Sequence, residues 1–122
     1  MDSARVLLFV YGTLMRGEWA HGLLSGSSFV GEATTAPGHA LLDLGSYPGM
    51  VREGDGAVRG ELFTIEAALV PKLDEYEGAP ELFERAVVEL ADGTKALSYL
   101  FRAGASAATA RIPDGNWRSR RA

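Results

Sequence analysis

Residues 4–11, Ala-Arg-Val-Leu-Leu-Phe-Val-Tyr, form a short and nearly continuous apolar run rich in β-formers. A run of that length with almost no polar interruption suits a strand covered on both faces. It is therefore expected near the centre of a sheet, with the rest of the chain laid around it. The run exits through Val10-Tyr11-Gly12-Thr13-Leu14-Met15-Arg16-Gly17, an aromatic followed by a Gly-Thr turn. A strand that stops at such a turn leaves successive backbone N–H groups without ladder partners, and these can form a concave site for an anion. The same residues also suffice merely to turn the chain.

After this loop, residues 17–26 place Trp19, Leu23 and Leu24 at helical spacing, with Gly22 weakening the pattern, and a short helix is expected. His21 would pack or hydrogen-bond near the loop. Residues 28–36 and 40–44 read as neighbouring antiparallel strands separated by Pro37-Gly38. Gly45-Ser46-Tyr47-Pro48-Gly49 is dense in turn formers and reads as a surface loop, with Tyr47 facing a pocket or capping the wall. Residues 50–52 and 58–65 then read as a hairpin across the polar stretch 53–56.

Residues 66–77 are the clearest helical segment, because Leu69, Val70, Leu73 and Tyr76 make one apolar stripe. Pro71 tolerates only a first-turn position, so the helix either starts late or kinks. Gly78 and Pro80 end it. Residues 83–90 and 95–101 form a second hairpin about Asp92-Gly93; 103–110 reads as loop, and 112–117 as a turn anchored by Trp117. Six or seven strands, two main helices and the hairpin signals point to an α+β fold, a small mixed and partly closed β-barrel.

With 122 residues, 47% hydrophobic and 23% charged, the chain has the size for one domain, residues 1–122, with a true core. No apolar run reaches the roughly 20 residues that cross a bilayer, and the N-terminus shows no leader pattern, so the reading is a cytoplasmic protein without membrane partners. The absence of cysteine excludes disulfides, thiolate nucleophiles and cysteine-ligated metal. His21 and His39 carry no metal-ligand spacing, and no Gly-Lys-Ser/Thr phosphate-loop ending follows Gly12. A formal charge of −4 gives no footprint for nucleic acid, and the basic cluster Arg118, Arg120 and Arg121 reads as part of a solvated tail, 118–122.

Asp74, Glu75 and Glu77 fall in the last turn of the expected helix, where the macrodipole is negative and each acid costs roughly 0.3–1 kcal/mol. Asp74 and Glu75 read as surface residues. Glu77 lies four residues after Leu73 and beside the Gly78 stop, which places it next to the buried stripe. Shelter by apolar groups and the helix C-terminus both disfavour its ionised form, so its pKa should rise and make it a candidate base near neutral pH.

Several stretches recur in order: Tyr11-Gly12-Thr13-Leu14 with Arg16-Gly17, then His21, Leu23-Leu24, Gly45-Ser46-Tyr47-Pro48-Gly49, Gly60-Glu61-Leu62-Phe63, Leu73-Asp74-Glu75-Tyr76-Glu77-Gly78, and Glu84-Arg85. Through these the chain resembles the gamma-glutamylcyclotransferase-like family, and more closely its small branch that includes gamma-glutamylamine cyclotransferases. The resemblance implies the family's mixed α/β barrel and a small-molecule gamma-glutamyl substrate held by Tyr11, Gly12, Thr13 and Leu14. It implies Glu77 as general acid/base, with no metal or cofactor. The substrate's α-amine would attack its own γ-carbonyl, releasing an amine and leaving 5-oxoproline. The amides of residues 12–14 would hold either the α-carboxylate or the developing oxyanion. Tyr47 and Tyr99 are candidate pocket walls, and Arg85 a structural partner for an acid. Ala20 stands where relatives often carry a polar residue such as Asn, and Trp19 beside it is also unexpected; both bear on substrate choice. Removal of a gamma-glutamyl protecting group, or binding without turnover, are the competing readings.

Overall fold

The computed structural model describes residues 4–102 and 110–121, so the loop expected at 103–110 lies almost wholly outside the described residues. Seven strands are present among them: β1 (Arg5–Val10), β2 (Ser28–Thr34), β3 (Ala40–Asp43), β4 (Pro48–Val51), β5 (Arg59–Glu66), β6 (Phe83–Glu89) and β7 (Lys95–Phe101). One α-helix, α1 (Val70–Glu77), precedes β6, and single 3-10 turns form at His21–Leu24, Ala67–Leu69 and Trp117–Arg121. No helix among the described residues is long and apolar enough to cross a membrane.

The strands make one mixed sheet in the order β2-β5-β1-β7-β4-β3, with β6 paired to β7. As the apolar run 4–11 predicts, β1 is central, antiparallel to β5 and parallel to β7. Leu8 and Phe9 are almost wholly buried within it. The sheet is partly closed. Beyond the end of β2, Thr35 bridges to Leu90, the Ala36 N–H donates to the Glu89 carbonyl and the Ala91 N–H to the Thr34 carbonyl. This joins the β2 end of the order to the β6–β7 hairpin.

Three local expectations are corrected. Residues 17–26 do not form a helix beyond the 3-10 turn at His21–Leu24. Gly17 and Gly26 take φ of +82° and +88°, a left-handed backbone that ends helical propagation, and Trp19 and Leu23 point outward instead of forming a stripe. Strands β2 and β3 are not neighbours: β2 pairs with β5, and β3 pairs with β4 through a tight connection. There the Asp43 side chain accepts the Gly45 N–H at 2.9 Å and the Leu44 N–H bonds the Tyr47 carbonyl. The hairpin expected between 50–52 and 58–65 is likewise absent, because both edges of β5 are taken by β1 and β2, while β4 lies on β7.

The expected β6–β7 hairpin forms, with Phe83 opposite Phe101 through Glu89 opposite Lys95. Helix α1 starts late. Pro71 sits in its first turn, where no hydrogen bond is lost, and Gly78 closes it in the left-handed conformation (φ 66°, ψ 36°) with its N–H on the Asp74 and Glu75 carbonyls. Leu73 is wholly buried, which docks the helix and fixes the direction in which Glu77, its last residue, projects.

Candidate active site

The site arises where the sheet divides. β7 gives one edge to β6 along its length and shares the other between two parallel strands, β1 at Leu8/Leu97 and β4 at Met50/Leu100. Tyr11 fills the seam between them. Its hydroxyl donates to the Tyr99 carbonyl at 2.7 Å and accepts the Met50 N–H at 3.1 Å. Burial, and after it the nearby Glu77 charge, holds this phenol well above the ordinary tyrosine range, so it keeps its proton as a strut.

Past the seam no strand runs alongside. Among the described residues the N–H groups of Gly12, Thr13 and Leu14 donate to nothing, whereas their carbonyls are all tied back: Gly12 to Met15 N–H, Thr13 to Ala20 N–H, and Leu14 to His21 Nδ1–H at 2.9 Å. Three successive free amides beside a cavity are an arrangement that can cradle an anion. The turn depends on Gly12, where a Cβ would lie 2.5 Å from Pro48 Cγ and 2.7 Å from its Cδ. His21 packs against Phe63, with ring centroids 5.6 Å apart and planes inclined at 47°, and serves the loop's architecture.

Tyr11, Gly12, Thr13, Leu14 and Glu77 all line one cavity of about 230 Å³. The sequence-predicted residues, spread over more than half the chain, are thereby brought together. Tyr76 joins the two sides, since its hydroxyl lies 2.9 Å from Thr13 Oγ1. Glu77 accepts no hydrogen bond or ion pair from the described residues, and burial pushes its carboxyl up to about 7 from the usual 4.5. An acid with no partner except the cavity is free to exchange a proton with a ligand.

Asp74 proves to be more than a surface acid. It accepts the Tyr99 hydroxyl at 2.6 Å on one oxygen and the Arg85 guanidinium on the other. Burial and the Asp74 bond hold the Tyr99 phenol above its ordinary range. The unfavourable helix end is thus offset by a charge-assisted pair that pins α1 to β6 and β7. Tyr47 and Tyr99 both line the cavity, with Tyr47 packed on Phe83 at 6.1 Å.

Glu61 is a further functional residue, and a lone acid inside the apolar run of β5 is its sequence signal. It is 1% exposed. Its carboxylate accepts the Arg16 N–H at 2.8 Å and the Arg16 Nε at 3.3 Å, and Arg118 lies at 3.5 Å. Arg118 also bonds the Arg16 carbonyl and Glu18, and the Arg16 guanidinium sits over the Phe29 ring. The anion cradle is thus anchored from behind by a buried carboxylate. Glu61→Gln is expected to destabilise the protein by about 1–3 kcal/mol, the range for a lost charged hydrogen bond, read as a lowered denaturation midpoint at unchanged m-value.

Residues 8–119 match the sequence profile of the family described as gamma-glutamyl cyclotransferase, AIG2-like. The chain belongs to this gamma-glutamyl cyclotransferase family. A Vibrio cholerae protein that carries a provisional gamma-glutamylcyclotransferase name is 42% identical over 72% of this chain and 76% of its own length. Human gamma-glutamylaminecyclotransferase is 30% identical over 69% of this chain and 61% of that protein. A crystal structure of a protein from uropathogenic E. coli superposes with a TM-score of 0.84 at 28% identity, covering 97% of this chain and 96% of that one. Family and fold together make this a gamma-glutamylcyclotransferase-like enzyme, in which the cavity between β1, β7 and α1 is the candidate gamma-glutamyl cyclotransferase centre.

Proposed function

We propose that the protein is a cofactor-independent cyclotransferase acting on gamma-glutamyl amides, with Glu77 as its general acid/base. The observation that carries this reading is the single cavity shared by an unpartnered, partly buried carboxyl and three free main-chain amides. Among the described residues no Lys, Arg or His lines that cavity, so the substrate's permanent α-carboxylate would take the amides of Gly12, Thr13 and Leu14.

Nucleophile and electrophile belong to one molecule, and the protein mainly folds the glutamyl chain into its attacking conformation, an advantage worth several kcal/mol. The Glu77 carboxylate takes a proton from the α-ammonium and frees the nitrogen lone pair. That nitrogen bonds the γ-carbon and closes a five-membered ring. As the original C–N bond breaks, Glu77 returns its proton to the departing nitrogen. The second excess ammonium proton follows the same route, so the amine leaves as its ammonium and 5-oxoproline remains. The Tyr11 strut and the Asp74–Tyr99 bond hold the floor while this occurs.

The test is release of 5-oxoproline from a panel of gamma-glutamyl amines, gamma-glutamyl amino acids and gamma-glutamyl-ε-lysine. Equimolar 5-oxoproline and free amine are expected from the gamma-glutamyl amines. Release of glutamate instead would mean attack by water and overturn the intramolecular route; tight binding with no product over hours would make the protein a binding module.

A further inference from the structure

Trp19 is 70% exposed, the most exposed large hydrophobic side chain among the described residues. Its position is nevertheless fixed. The Glu18 N–H bonds the Met15 carbonyl and the Ala20 N–H the Thr13 carbonyl, each at 3.0 Å, which braces the backbone on both sides. The indole meets the Tyr76 ring edge-on, with centroids 6.0 Å apart and planes at 66°, and lines the same cavity as Glu77. Nothing in the core requires an indole there, and leaving one in water forgoes the free energy of burying it. An exposed aromatic at a cavity lip, its backbone braced and one edge on Tyr76, is placed to stack on a ligand.

The electrostatics of the lip choose the ligand. Among the described residues lining the cavity, Glu77 alone has a side chain that ionises near neutral pH, and the free amides lie inside, on the loop after β1. A carboxylate on the leaving amine would find no cationic partner and would face Glu77, whereas a cation there would meet an indole face. Resting on the cyclotransferase reading, we propose that Trp19 is a specificity residue that stacks on the released-amine half of the substrate, selecting gamma-glutamyl amides whose far end is cationic and rejecting those that end in a carboxylate.

Three matched substrates test this: the mono-gamma-glutamyl amide of putrescine, the gamma-glutamyl amide of n-pentylamine and that of 5-aminopentanoate. They differ only in a positive, neutral or negative terminus. For the wild type, kcat/KM is expected to fall in that order, with roughly 3- to 30-fold between the cationic and neutral amides, the range for an aromatic–cation contact. In Trp19→Ala the cationic-to-neutral ratio should fall towards one, mostly through KM, and Trp19→Phe should restore part of it. Because the side chain is exposed, these variants fold. Equal or better turnover of the carboxylate-bearing amide, or a ratio unchanged in Trp19→Ala, would overturn the assignment of Trp19 while leaving the cyclotransferase intact. Release of 5-oxoproline from none of the three would overturn the cyclotransferase reading, and the specificity with it.

Discussion

Glu77→Gln is expected to lower turnover of a gamma-glutamyl amide by at least about 10², the usual worth of a positioned proton-transfer group, while the fold stays intact. The amide is nearly isosteric with the carboxyl, and among the described residues no salt bridge or hydrogen bond depends on the charge. The loss should fall on kcat more than on KM, because the proposed binding of the substrate's anionic end to the amides of residues 12–14 does not involve Glu77. Wild-type kcat/KM should show an acid limb near 7, the value to which burial raises this carboxyl, since only the ionised form accepts the α-ammonium proton. The residual activity of Glu77→Gln should lack that limb. A variant that kept most of its turnover would remove Glu77 from the mechanism.

The same raised pKa has a consequence for stability. The folded protein binds the Glu77 proton more tightly than the unfolded chain, so between the usual 4.5 and about 7 stability falls as pH rises; the cost is absent below that window and complete above it. Glutamine carries no such cost. Glu77→Gln should therefore melt at a higher temperature than the wild type at pH 8 and alongside it at pH 4, with catalysis and stability moving in opposite directions. Equal melting temperatures at both pH values would mean that the carboxylate is not buried in solution.

Gly12→Ala should be the second severe change. Its Cβ would sit 2.5 Å from Pro48 Cγ, a ring atom that cannot rotate away, so the cradle or the start of β4 must shift. Overpacking of this kind costs about 1–3 kcal/mol. Displacing the amides by roughly an ångström is expected to cost about 10² in kcat/KM, because the attacking geometry depends on where the carboxylate is held. Gly22→Ala is the control, since a Cβ there meets nothing within 4 Å; its kcat/KM should stay within about twofold of wild type, as for an ordinary surface change. A fully active Gly12→Ala would show that the cradle does not hold substrate.

What the sequence revealed was whatever local chemistry decides. The apolar run 4–11, the Asp92-Gly93 hairpin, the first-turn position of Pro71 and the Gly78 stop each follow from a few neighbouring residues, and β1, α1 and the β6–β7 hairpin match them. Glu77 was legible for the same reason, through its spacing from Leu73 and its place before Gly78. Strand partners were not. Two stretches of turn formers, 45–49 and 53–56, compete for one hairpin, and the outcome depends on which edge of β5 or β7 is still free, which is a property of the whole sheet. The glycines around Trp19 outweighed its helical spacing. The Glu61 anchor stayed hidden because its partners Arg16 and Arg118 lie 45 and 57 residues away in sequence.

The sharing of one β7 edge by β1 and β4 limits how such a pocket can be altered. Its depth is set where the two strands part and Tyr11 spans the gap, so neither can be extended without filling the hollow. Outward, the cavity is lined by Trp19, Tyr47 and Leu82, which belong to no strand. The architecture therefore separates two kinds of change: the gap is fixed by hydrogen bonds that tie the strands together, whereas the rim is built of side chains that no strand constrains.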